Sequence, residues 1–174
     1  VDESSNDSFD SLSDQTVSVS TADDDTAGFT VTQTDGSSSV TEGGSTDLIT
    51  VVLDAQPTSD VVLSVVSNDT GEATVSNSTL TFTAADWDIA KTVTLTGAND
   101  DLVDGSQSST VTLSVVDGSS DDVFDGVADQ TVSVATTDSD VAGFTVIESG
   151  GPTTVAEDGS TTDDFTVVLD AQPI

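Results

Sequence analysis

An all-β antiparallel sandwich is the fold this sequence predicts, and three observations carry the prediction. Apolar residues alternate with Thr and Ser in short runs, the period-two pattern of a half-buried strand. Gly-, Asp- and Asn-rich turns separate the runs, and no segment shows a convincing helical stripe. The chain also repeats internally, with a period suited to a single sandwich domain.

The repeat reads directly from the residues. Phe9 to Val31 spells FDSLSDQTVSVSTADDDTAGFTV, and Phe124 to Val146 spells FDGVADQTVSVATTDSDVAGFTV. They agree at 16 of 23 positions and lie 115 residues apart. Gly28 and Gly143 keep that offset, as do Glu42 and Glu157. The run LDAQP at Leu53 to Pro57 returns at Leu169 to Pro173 with an offset of 116, so one residue has been gained near 161–164. The expected organisation is the tail of one repeat at 1–22, a complete repeat at 23–140 and the head of another at 141–174. Because the sequence reads as beginning mid-repeat, any targeting signal is expected elsewhere in a longer protein.

Seven strands are expected in the complete repeat, each bounded by turn residues. They are 28–33 (GFTVTQ), 48–55 (LITVVLDA), 60–66 (DVVLSVV), 79–83 (TLTFT), 92–96 (TVTLT), 109–116 (STVTLSVV) and 130–136 (QTVSVAT). A short extended piece at 73–75 precedes the fourth. Segment 84–90 reads as a turn or a short 3₁₀ piece, with Trp87 plugging the core or its rim. Seven such strands in one repeat point to an immunoglobulin-like antiparallel sandwich.

That topology sorts the loops. Consecutive antiparallel strands send alternate connections to opposite ends. The loops after the first, third and fifth strands, and the exit of the seventh, therefore share one end. Glu42 lies in the first of these loops, Asp69 and Glu72 in the second, Asp100, Asp101 and Asp104 in the third, and Asp138 and Asp140 after the last strand. The loop 117–129, with Asp121, Asp122 and Asp125, reaches the other end and is read as solvated.

Composition narrows the chemistry. Asp and Glu number 33 against one basic residue, Lys91, for a formal charge of −32. No basic patch can form, so partners with an anionic backbone or headgroup surface, nucleic acid and membrane alike, are not expected. Membrane insertion is not expected either, because no long apolar run is present. With no Cys, no disulfide staples the fold. With neither His nor Cys, zinc sites and the usual acid–base and thiol catalysts are missing, and no enzyme is expected. Carboxylates gathered at one end repel by ~4 kcal/mol per pair at about 4 Å and an effective dielectric near 20. Oxygen ligands in loops suit Ca²⁺, which takes about 6–8 of them. Gly43, Gly44 and Gly105 beside the acids permit tight wrapping.

The succession VTEGGS, TLTF, TVTLTGANDD with a following acid, and a closing TxDxD resembles the Calx-beta class of sandwiches. It is similar above all to the extender repeats of giant bacterial adhesins that carry RTX calcium-binding repeats and leave by type I secretion. The resemblance spans one whole repeat and parts of two others. It implies an extracellular, calcium-rigidified spacer on the bacterial surface, holding a distal binding domain away from the cell. It also implies Glu42, Asp100, Asp101, Asp104, Asp138 and Asp140 as Ca²⁺ ligands. Asp104 stands where Calx-beta proteins often have Glu, with a side chain one methylene shorter. The repeat adds Asp23 and Asp25, which match Asp138 and Asp140, and Glu157, which matches Glu42.

Neighbouring repeats of the same chain are the expected partners. The partial repeats at the two ends cannot bury a core alone. Head-to-tail pairing between chains is expected to complete them, the alternative being docking on their own chain. The competing function is a ligand- or glycan-binding module, which one Trp and no Tyr supply poorly.

Overall fold

A computed structural model describes Ser4, residues 7–9 and residues 11–173; Val1 and Ile174, the outer limits of the two expected partial repeats, lie outside the described residues. The strands are β1 (Phe29–Gln33), β2 (Ser38–Thr41), β3 (Thr46–Leu53), β4 (Val61–Ser67), β5 (Ala73–Val75) and β6 (Thr79–Phe82). They continue with β7 (Lys91–Gly97), β8 (Gln107–Val115), β9 (Gln130–Thr137), β10 (Phe144–Glu148) and β11 (Phe165–Leu169). Val, Ile and Thr dominate because branched side chains fit a pleated surface. In β8 the alternation is plain: Ser109, Val111 and Leu113 are buried, and Thr110 and Thr112 between them are not. Among the described residues no helix is long and apolar enough to cross a membrane.

Two sheets form the sandwich. One has the order β1-β3-β7-β5, the other β2-β9-β8-β4-β6. Every pairing is antiparallel except β2 with β9, where Val40 lies opposite Thr136 in parallel register. This is an immunoglobulin-like order. Phe29, Ile49, Val51 and Leu95 from one inner face meet Leu63, Phe82, Leu113 and Val134 from the other, all buried. Trp87 is half-buried and packs against this core.

The described sandwich holds nine strands rather than the expected seven. β2 is the addition: the chain leaves β1 through Asp35 (φ 57°) and Gly36 (φ 79°) and crosses to the other sheet. Its sequence SSVT has a single strongly apolar residue, so alternation did not mark it. The short piece β5 joins β7 in one sheet, while β6 joins β4 in the other. Ile49 has no exposed surface. Ile49→Val is expected to cost ~1 kcal/mol, read as a lower urea midpoint with an unchanged slope.

The loop at the far end departs from the solvated reading. It forms 3₁₀ turns at Asp117–Ser119 and Asp122–Phe124, and Phe124 is buried. Drawing Phe124 into the core pulls Asp121 to 5% exposure. The Asp121 carboxylate accepts the Thr58 N–H and hydroxyl, both at 2.7 Å, and the N–H groups of Ser59 (3.0 Å) and Val123 (3.1 Å). The Thr58 hydroxyl and then these amides hold its pKa down, to about 2 against an ordinary 3.8. A depressed carboxylate stabilises the fold above its unfolded pKa and loses that contribution as pH falls through the folded one. Wild type is therefore expected to lose stability relative to Asp121→Asn between about pH 4 and pH 2, in melts across that window.

The flanking segments contrast with each other. β10 and β11 pair Phe144 with Leu169 and Val146 with Val167, repeating the register of Phe29 with Leu53 and Val31 with Val51 in β1 and β3. Their side chains are exposed, as no second sheet covers them. Within 1–22, expected as the tail of a preceding repeat, residues 11–22 form no strand.

Candidate metal centre

Four segments build a carboxylate cluster at one end of the sandwich. Glu42 follows β2, where its N–H donates to Thr137 C=O (3.1 Å) and prolongs the parallel ladder. Gly43 (φ 82°) and Gly44 (φ 98°) then turn the chain into β3. At the end of β7, a Cβ on Gly97 would collide with the Thr41 carbonyl. Glycine here lets the segment 98–104 pass directly beside the Glu42 turn.

Glu42 is 6% exposed, and its carboxylate accepts the Ser139 N–H at 3.1 Å. Asp138 accepts the N–H groups of Asp140 (2.7 Å) and Gly105 (2.8 Å), and these hold its pKa below the ordinary value. The exit of β9 is thus tied to both the Glu42 turn and the loop before β8. Glu42, Asp138 and Asp140 each bring a carboxylate oxygen to within 4.8 Å of the others.

A second triad adjoins the first. Glu72, between β4 and β5, meets Asp100 and Asp104 at the same mutual limit of 4.8 Å. The Glu72 carbonyl accepts Ala98 N–H (2.9 Å), which seats this loop on the chain leaving β7. Asp100 accepts the Leu102 N–H at 2.8 Å. Burial raises the Glu72 pKa first, and the charges of Asp104, Asp69, Glu42 and Asp100 raise it further. Asp140 is likewise raised, by burial and then by Asp138, Asp101 and Asp100. Asp100 acts on both residues, so the triads form one electrostatic unit.

Unpartnered oxygens decide what the cluster fits. Among the described residues, four buried side-chain oxygens have no hydrogen-bond partner: Glu72 Oε2, Asp104 Oδ1, Asp140 Oδ2 and Ser109 Oγ. Three of the four are carboxylate oxygens of these two triads. A buried carboxylate oxygen without a donor is costly unless a cation meets it. With only oxygens offered, from glycine-bearing loops, the donor set suits Ca²⁺ and does not suit zinc.

The ligand set expected from the sequence is brought together in part. Glu42, Asp100, Asp104, Asp138 and Asp140 fall in the two triads. Asp101 is exposed, near enough to raise Asp140, and its carbonyl accepts Gln172 N–H at 2.6 Å. Asp23 and Asp25 stand elsewhere, in an exposed trio with Asp24 on the side of Pro57 and Phe124. Glu157 is exposed and joins no group of three acids among the described residues, because no β9 lies beside residues 153–156 to form the equivalent of β2. Loop topology places Glu72 at this end, but the ligand set that the resemblance implies does not include it. It belongs to no sequence-local pattern with Asp100 and Asp104, and alternating loop ends were the one signal pointing to it.

No protein-family model matches the chain, and no curated protein matches it. Among solved structures, the apo form of the Calx CBD1 domain is 14% identical, covers 64% of this chain and 98% of its own, and gives a TM-score of 0.45. SSP-19, an MSP-domain-like protein of Caenorhabditis elegans, is 14% identical over 59% of this chain and 92% of its own, with a TM-score of 0.38. The E. coli chaperone DraB is 6% identical over 67% of this chain and 59% of its own, with a TM-score of 0.47. These likenesses are to other proteins' folds, and the fold assignment here rests on the sheet order.

Proposed function

We propose that this chain is a segment of a calcium-stiffened extracellular spacer, an extender of a large bacterial surface adhesin that carries a distal binding domain away from the cell. The observation that carries the reading is the set of three buried, unpartnered carboxylate oxygens on Glu72, Asp104 and Asp140. They gather where the chain leaves β9 for the next copy of the β1–β3 hairpin. Calcium would be held by Glu42, Asp138 and Asp140 on one side and Glu72, Asp100 and Asp104 on the other. It would supply the positive charge that a chain with one basic residue lacks.

The mechanical consequence follows from electrostatics. Without cations, the acids of the β7–β8 loop and the β9 exit repel and spread the handover between repeats. With calcium, those same acids share an ion and the angle between repeats is set. The role is mechanical, and no side chain needs to do chemistry.

Small-angle scattering on the full chain tests this. With about 10 mM Ca²⁺, above the ~10⁻⁴–10⁻³ M affinities of extracellular modules, a longer and stiffer particle is expected than in chelator. Asp100→Asn with Asp104→Asn, both in the second triad, is expected to remove most of the difference. Identical profiles with and without calcium would count against the reading.

A further inference from the structure

The two carboxylate triads account for the acids, but not for the apolar residues between them. Leu102 and Val103 stand at the tip of the β7–β8 loop, half-buried in a connection that is otherwise polar. Leu102 bridges Gln172 in parallel register, and Gln172 N–H donates to Asp101 C=O at 2.6 Å. Val103 lines a notch of about 180 Å³ with Ala142, Leu169, Ala171 and Pro173. The tip of one sandwich is thus seated in the LDAQP corner that follows β11.

The same corner occurs at the other end of the sandwich. Leu53 to Pro57 repeats the sequence of Leu169 to Pro173. Asp54 N–H donates to Gly28 C=O at 2.9 Å, and Asp170 N–H to Gly143 C=O at 3.0 Å. Asp54 accepts the Thr30 hydroxyl and Asp170 the Thr145 hydroxyl, each at 2.8 Å. In both corners a Cβ on the glycine, Gly28 or Gly143, would strike the aspartate side chain. Ala27, Ala55 and Pro57 line a notch of about 140 Å³ there. The two corners share these hydrogen bonds and the Ala-Gln-Pro lining, while Val123 and Phe124 also wall the first and Leu169, whose counterpart Leu53 is buried, lines the second beside Val103.

We propose that the Leu102–Val103 tip is a key for the Ala-Gln-Pro corner of the following repeat, and that the Ala55–Pro57 corner receives the equivalent tip of a preceding repeat. The key sets the rotation between neighbours through apolar contact and one backbone hydrogen bond, while the acids around it supply the calcium-dependent stiffness. This inference rests on reading the chain as a run of repeats and does not depend on calcium.

The chain has no cysteine, so Thr131→Cys and Thr166→Cys, exposed in β9 and β11, take a unique pair of spin labels. In calcium the wild-type background is expected to show one narrow distance. Leu102→Ser with Val103→Ser, which trims the key, and Ala171→Gln, which fills the notch, are each expected to at least double the width of the distribution. Both changes are neutral, so the calcium-dependent melting of the sandwich should stay intact. An unchanged width with intact melting overturns the key alone, whereas loss of any calcium response in the wild type overturns the spacer reading instead. In a chain lengthened in register by a second copy of residues 24–138, labels at 131 of the first copy and 50 of the second are expected at the same narrow distance. A broad distribution there would overturn the receiving role of the Ala55–Pro57 corner.

Discussion

Calcium added to the chelated protein is expected to raise the melting temperature of the sandwich by about 10 °C or more. A ligand that binds the native state alone stabilises it by RT ln(1 + [L]/Kd), ~2.7 kcal/mol at a hundredfold excess over Kd. About 10 mM Ca²⁺ provides that excess for a site of ~10⁻⁴ M, within the range of extracellular modules. Each kcal/mol moves the midpoint of a domain of roughly 100 residues by about 4–8 °C. Two adjoining triads offer room for more than one ion, which would enlarge the shift. Because the chain carries a formal charge of −32, simple screening also stabilises it. Calorimetry should therefore compare calcium with sodium chloride at matched ionic strength. A shift no larger than the sodium control would remove the case for a built site.

Glu72→Gln is expected to act in opposite directions in the two conditions. Burial and four neighbouring carboxylates oppose the charge on Glu72. In chelator, the neutral amide should raise the melting temperature by several degrees, since it removes a charge the fold tolerates poorly. In calcium, the same change deletes a ligand and should cut the calcium-dependent increment at least by half. The pH dependence follows with its own sign. A carboxyl whose folded pKa is raised costs stability above that pKa, and the cost fades as pH falls through it toward the unfolded value, 4.5 for Glu. Chelated wild type should gain stability on acidification from neutrality, and Glu72→Gln should flatten that gain. Below about pH 4 the loss of the Asp121 contribution takes over with the opposite sign. A mutation that destabilised equally with and without calcium would mark Glu72 as merely structural.

The segment QTVSV shows what sequence patterning can and cannot determine. It occurs at Gln15 and again at Gln130. In the second copy it forms β9 between β8 and β2, and Val132 and Val134 are 2% and 0% exposed. In the first copy, Val17 and Val19 are 86% and 83% exposed and no strand forms. Alternation states a capacity to pair, and a neighbouring strand decides whether it is used. Glu42 and Glu157 differ for the same reason, one held beside β9 and the other without such a strand. The gathering of acids at one end was legible because antiparallel strands must send alternate loops the same way. Which acids meet was less so: Glu72 reaches Asp100 and Asp104 from a distant loop, and that proximity has no sequence spacing to reveal it. β2 and the burial of Asp121 have weak local signals: a four-residue strand with one Val, and an acid that reads as solvated until Phe124 draws it inward.

The most direct test is a calorimetric titration of calcium into the full chain, beside Glu72→Gln combined with Asp140→Asn. Saturable binding at or below ~10⁻³ M in the wild type, largely abolished in the double variant, is the predicted result. No saturable binding, or binding that the double variant leaves unchanged, would contradict the assignment of calcium to these carboxylates.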